Sequence, residues 1–166
     1  MNSNKGITLI ELIIVVSIIG ILVIALGFSF QGWMGAYRIE SQTKEIYVDL
    51  MTARARAMQR NREHYADFPN ATSYRIREDS NEDRNPAVLA GDTVLPTYPK
   101  TVQYAIVPAL GGAATTIRFD VRGRITPDGN IQVTLPADVV ADYDCVVFSD
   151  LRINIGLWDG ASCVAK

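Results

Sequence analysis

The chain has 166 residues, 18 acidic against 16 basic side chains, a formal net charge of −2 and 48% hydrophobic residues. That balance is not the strongly basic composition of a general nucleic-acid binder, and a single His with two Cys leaves no set of companions at zinc-ligand spacing. No internal repeat or low-complexity tract interrupts it.

The N-terminus carries the sharpest signal. Lys5, Gly6, Ile7, Thr8, Leu9, Ile10, Glu11 and Leu12 lead into an apolar stretch that continues to Phe30, and after Lys5 the only charge before Arg38 is Glu11. At about 1.5 Å per residue, residues 7–30 extend about 35 Å, against a hydrocarbon core of about 30 Å, so the spacing predicts a membrane-spanning helix. A carboxylate within such a span carries a penalty of about 2.5 to 3.5 kcal/mol, less near the interface, and calls for a partner such as a positive charge on a neighbouring copy. A secretory signal peptide fits poorly, because the segment before the core is short, the core is long and no Ala-x-Ala site follows. An ordinary single-pass anchor accounts for the span but not for Glu11.

These residues resemble the class III signal of type IV pilins and type II secretion pseudopilins. The resemblance implies that a prepilin peptidase cuts after Gly6 and methylates the new N-terminus at Ile7, that residues 1–6 are a leader, and that Glu11 is the family's assembly glutamate. Ile7 departs from the usual phenylalanine, conservatively. It also implies a single-pass protein of the bacterial inner membrane, with its C-terminal head in the periplasm and its partners inner-membrane lipid, the peptidase and other pilins or pseudopilins in a filament. The physics agrees: a helix held in lipid leaves the bilayer only where other copies bury the same surface. There Glu11 would pair with the amine of Ile7 on an adjacent subunit.

From 31 to 62 the helix continues as an amphipathic segment. Between Arg38 and Arg62 there is no Pro, and Ile46, Leu50, Ala53 and Ala57 recur on one face of a 3.6-residue period. Gly27, Gly32 and Gly35 mark the junction as a place to bend, each weakening a helix by about 1 kcal/mol relative to Ala.

Beyond the helix the period changes to two, which predicts a β-rich head over 63–166. Glu63 to Phe68 and Ser73 to Arg77 read as a hairpin about Pro69-Asn70, and Thr101 to Val107 as a strand. Ile117, Phe119 and Val121 alternate with charged residues before Pro127-Asp128-Gly129 and Ile131, Val133 and Leu135, which predicts another hairpin. Cys145 to Phe148 and Arg152 to Trp158 flank a turn at Ser149-Asp150. The stretch 78–99 is polar and poorly patterned, and reads as a surface loop. The fold class is therefore α+β: a long N-terminal helix packed on an antiparallel β-sheet head, like type IV pilins.

The head extends the resemblance. The helix end from Leu50 to Asn61, the strand from Ile117 to Arg124, and the tail from Val147 to Cys163 resemble the GspH/FimT branch of minor pilins and pseudopilins. That implies a structural subunit taking part in assembly or capping of a type IV pilus or a type II secretion pseudopilus. The alternative is a FimT-like DNA-binding pilin for transformation, with Arg118, Arg122, Arg124 and Arg152 as DNA contacts. Proteins of that kind carry a Gly-Arg-x-Arg motif, whereas the matching stretch here is Ser149-Asp150-Leu151-Arg152, and Asp120 and Asp128 sit beside the arginines.

Arg54, Arg56, Arg60 and Arg62 form a basic run that could touch phosphate, but their spread around the helix reads as a solvated or intersubunit salt-bridging face. His64 reads as an exposed helix-end residue. Asp138, Asp142 and Asp144 read as a solvated loop, since no Gly-centred calcium pattern is present. No phosphate loop, nucleophile elbow or catalytic carboxylate pair can be assembled, so neither an enzyme, a cofactor nor a metal is expected. Cys145 and Cys163 lie in a region sent outside the cytoplasm, and a disulfide follows, with two buried free thiols as the alternative.

Overall fold

The structure, a computed structural model, describes residues 7–166 except 89, 113 and 138, and of residues 25–32 it describes the backbone alone. The leader with Gly6, and Asp138 of the C-terminal acidic loop, lie outside the described residues.

One helix, α1 (Leu9–Arg60), carries 52 residues and so runs about 78 Å. Thr8 caps its start in an extended conformation, its Oγ1 accepting from the Glu11 amide at 3.3 Å. The Glu11 charge falls in the first turn, where the helix dipole favours an acid. The other end stops at Asn61, which takes the left-handed conformation at φ 53°, a geometry that asparagine tolerates better than most residues. The helix is continuous through Gly27, Gly32 and Gly35. At Gly35 an added Cβ would come within 2.9 Å of the Val139 side chain. Glycine there lets the C-terminal loop lie against the helix.

The strands follow in chain order: β1 (His64–Asn70), β2 (Ser73–Glu78), β3 (Thr93–Val94), β4 (Lys100–Thr101), β5 (Ile106–Leu110), β6 (Thr116–Phe119), β7 (Ile125–Thr126), β8 (Gly129–Val133), β9 (Cys145–Ser149), β10 (Arg152–Trp158) and β11 (Cys163–Ala165). They divide into two antiparallel sheets. The first runs β3-β2-β1-β6-β7, with β4 also paired to β2, and the second runs β11-β10-β9-β8-β5. The helix packs on strands of both. Its buried residues Ile39, Ile46, Leu50, Ala53 and Ala57 join Tyr74, Ile76, Ile106, Ile117, Phe119, Ile131, Val146 and Phe148 in one core.

Two sequence expectations need correction here. Residues 117–121 and 131–135 do not form a hairpin. The chain after β6 turns back at once, because the Asp120 carboxylate accepts from the amides of Arg122 and Arg124, both at 2.8 Å, and Gly123 adopts φ 78°. β6 therefore pairs with β7, and the chain passes through Pro127, which has no amide to donate, into the second sheet as β8. Nor is 101–107 one strand. β4 belongs to the first sheet and β5 to the second, and between them the Gln42 amide clasps Tyr104, donating to its carbonyl at 2.8 Å and accepting from its amide at 3.0 Å. The polar stretch 78–99 includes the short strand β3 and buries Asp79, Asp92 and Leu95.

Candidate functional site

Each large apolar side chain described between Ile7 and Ile24 is exposed, from 49% at Val15 to 78% at Leu9. They point in every direction around the axis, so this half of the helix is not an amphipathic face laid on its own head. Its other polar side chain, Ser17, donates to the Ile13 carbonyl at 2.8 Å and needs no outside partner. Glu11 thus stands as the one charged group between Ile7 and Ile24, a stretch exposed all round its axis. Among the described residues no helix is long and apolar enough to cross a membrane, and the stretch whose side chains are described ends at Ile24.

The second half of the helix differs in kind. Arg54 reaches across to two turns of the head, Nε to the Gly123 carbonyl at 2.7 Å and Nη1 to the Leu151 carbonyl at 2.8 Å. Gly123 suits the turn by its positive φ, and a Cβ there, 2.6 Å from the Met58 sulfur, would also displace that flexible side chain. Arg60 pairs with Glu78 at 2.6 Å and Arg62 with Glu82 at 3.0 Å. Lys100 bridges Glu45 at 2.8 Å and the buried Asp49 at 2.7 Å, and the Tyr74 hydroxyl donates to Asp49 at 2.6 Å. Burial and that acid push the Tyr74 hydroxyl well above its ordinary pKa. Much of the basic run is therefore taken up in fastening the helix to its own head.

The four arginines considered for DNA are not one free patch. Arg118 forms a bidentate pair with Glu63, which also accepts from the Tyr65 hydroxyl at 2.9 Å. The Glu63 hydrogen bonds raise the Arg118 pKa further. Arg124 pairs with Asp150 at 2.9 Å, and the Asp150 amide donates to Asp128 at 3.0 Å. Arg122 and Arg152 are exposed at the β6–β7 and β9–β10 turns, where Asp120, Asp128 and Asp150 interleave with them.

Three further expectations can be placed. Cys145 and Cys163 form a disulfide with Cα atoms 6.0 Å apart, tying β11 to the second sheet beside its pairing with β10. His64 is not exposed: it opens β1 with its side chain fully buried, Nδ1 lying 3.1 Å from the Arg62 carbonyl, and desolvation holds its pKa below the usual 6.5. The acidic stretch is not wholly a solvated loop: Asp142 is exposed but Asp144 is not. Asp144 is buried and accepts from the Trp158 amide at 2.6 Å, and its pKa is raised by that burial.

The sequence reading missed one cluster. Asp79, Asp83 and Asp92 bring carboxylate oxygens within 4.8 Å of one another, although Asp92 lies nine residues beyond Asp83 in the chain. Desolvation, then the charges of Asp79 and Asp83, push Asp92 up to about 6.

The family model for the type II transport protein GspH matches residues 42–150, well over half of the chain, and the prokaryotic N-terminal methylation motif matches residues 1–27. The chain belongs to the GspH family. No curated protein and no solved structure matches it. The GspH match covers the amphipathic half of the helix from Gln42 onward and the head up to the β9–β10 turn, and the methylation motif covers the leader and most of the apolar stretch. Together they make the chain a minor pilin or pseudopilin subunit, a class that is processed by prepilin peptidase and assembles with other pilins.

Proposed function

We propose that this GspH-family chain is cut after Gly6, methylated at Ile7 and held in the inner membrane by residues 7–30 with its head in the periplasm. From there it enters a type IV pilus or type II secretion pseudopilus to take part in assembly or capping. The observation that carries this reading is the stretch from Ile7 to Ile24, exposed on all faces and bearing Glu11 as its one charge. Such a surface is stable only in lipid or against other apolar helices, and within a filament Glu11 meets the amine of a neighbour's Ile7. The stacked rings of Trp33 and Tyr37, 6.4 Å apart just beyond the apolar stretch, suit the polar boundary of a bilayer.

The ion pairs of Arg118 and Arg124 support a filament role over DNA binding. The test is mass spectrometry of the full chain co-produced with prepilin peptidase. The reading expects loss of residues 1–6 and gain of one methyl group, both abolished by Gly6→Val. An uncut chain in the presence of active peptidase contradicts it, and salt-sensitive retardation of DNA by the intact protein would favour the alternative.

A further inference from the structure

The loop joining β2 to β3 leaves buried carboxylate oxygens without a hydrogen-bond partner. Asp79, just after β2, is 2% exposed, and Asp92, just before β3, is 8% exposed. Oδ1 of Asp79 and both oxygens of Asp92 have no hydrogen-bond partner. A carboxylate withdrawn from water in this way is strongly disfavoured unless a positive charge answers it. Yet the loop adds a third acid: an oxygen of Asp83 comes within 4.8 Å of both. Arg77 is the one positive side chain that acts to lower the Asp92 pKa, and its Nε is held at 3.0 Å by Asp67 on the other side.

The loop also has the layout of an oxygen-donor site. Asp79, Asn81, Asp83 and Asn85 alternate along it, the spacing by which calcium loops present successive oxygens. Such loops turn sharply at the sixth position, usually on a glycine. Here that position is Arg84, and it takes φ 53° without one. The turn is held by the Arg84 amide donating to Oδ2 of Asp79 at 3.1 Å and by the Asn85 amide donating to Oδ1 of Asp83 at 2.8 Å. Asn81 donates to Oδ2 of Asp83 at 2.9 Å. Asp92 returns from the far end of the loop to close the set. With carboxylates alone and no His or Cys among the converging groups, the donors suit a hard cation. Donors carried on an irregular loop favour calcium, which accepts varied geometry, over magnesium, which demands a near-ideal octahedron.

We propose that the loop from Asp79 to Asp92 binds one calcium ion through the carboxylates of Asp79, Asp83 and Asp92, joining the end of β2 to the start of β3. The site stands independently of the filament reading, since it lies wholly within the head.

The test is calorimetric titration of CaCl₂ into the full chain in a zwitterionic detergent after removal of divalent ions, with thermal unfolding followed in parallel. One equivalent is expected to bind with a dissociation constant of about 10⁻⁴ to 10⁻³ M, as in extracellular modules, and to raise the melting temperature. Asp92→Asn and Asp83→Asn should each weaken calcium binding at least tenfold, while Asp142→Asn, an exposed acid elsewhere, should leave it unchanged. Asp83 is exposed, so its variant carries the test even if the Asp92 variant folds poorly. Absence of any calcium-dependent heat or melting shift in the folded chain overturns the site, as does wild-type affinity in the Asp83 variant. Equal affinity for MgCl₂ overturns the assignment to calcium.

Discussion

The two halves of α1 are one continuous helix built on opposite principles. From Ile39 onward its apolar stripe is buried, and arginines that follow, at 54, 60 and 62, find partners within the same chain. From Ile7 to Ile24 nothing is buried, and among the described residues the Glu11 carboxylate meets no partner, only its backbone amide donating to the Thr8 cap. The first region is finished within one molecule. The second leaves its apolar surface to be covered by lipid or by other copies, as the proposed passage from membrane to filament requires.

Core truncation should break that contrast most visibly. Leu50→Ala is expected to destabilise the head by about 2 to 5 kcal/mol, because Leu50 is fully buried between the helix and the sheets. Leu12→Ala, on the exposed half, should leave the head's unfolding unchanged, and denaturant titration of both variants in detergent measures the difference. Equal losses would show that the halves are not independent.

A smaller effect is expected at the far end of the chain. Cys163→Ser opens the Cys145–Cys163 bridge, which closes a loop across 18 residues of sequence. The expected cost is about 3 kcal/mol, accompanied by fraying of β11, read as faster amide exchange at Val164. Retention of wild-type stability and protection would place the hold on β11 in its pairing with β10 alone.

The smallest effect concerns pH. His64 has a pKa lowered in the fold, first by desolvation, with Glu78 opposing and Arg60 and Arg56 adding to the shift. The unfolded chain then binds a proton that the folded one refuses, so this contribution to stability is fully present above about pH 6.5 and is lost as pH falls below it. Asp92, raised to about 6, works in the opposite sense over the same range, because the folded state takes up its proton first. In protein freed of divalent ions, melting temperatures between pH 7 and 5 should therefore fall more steeply in Asp92→Asn than in the parent, and less steeply in His64→Gln. Parallel profiles for all three would remove both assignments.

What could be read in advance divides by the range of the interaction. The stripe Ile46, Leu50, Ala53 and Ala57 is a local period, and the core buries those four residues together. The β9–β10 hairpin is likewise local, its strands separated only by Asp150-Leu151 and paired Phe148 to Ile153. The division into two sheets is not local. Pro127-Asp128-Gly129 has the composition of a hairpin turn, but the turn that forms is at Asp120–Gly123, because an Asx-type contact and one left-handed glycine close it sooner. The pairing of β1 with β6, His64 opposite Phe119, joins segments with no pattern in common, and it is this sheet that encloses His64. The acid cluster escaped notice for the same reason: Asp92 meets Asp79 only after the loop folds back through residues in the left-handed region, one of them an arginine where a glycine would have advertised the turn.

The most direct test of the account replaces Glu11 with Val in a strain that assembles the filament and quantifies the variant in sheared or affinity-purified filaments by immunoblot. Processing by the peptidase serves as the control that the chain reached the membrane. The account predicts normal cleavage and methylation with incorporation lost or sharply reduced, because the amine of the neighbouring Ile7 no longer has an acid to meet. Wild-type incorporation of the Glu11→Val chain would contradict it.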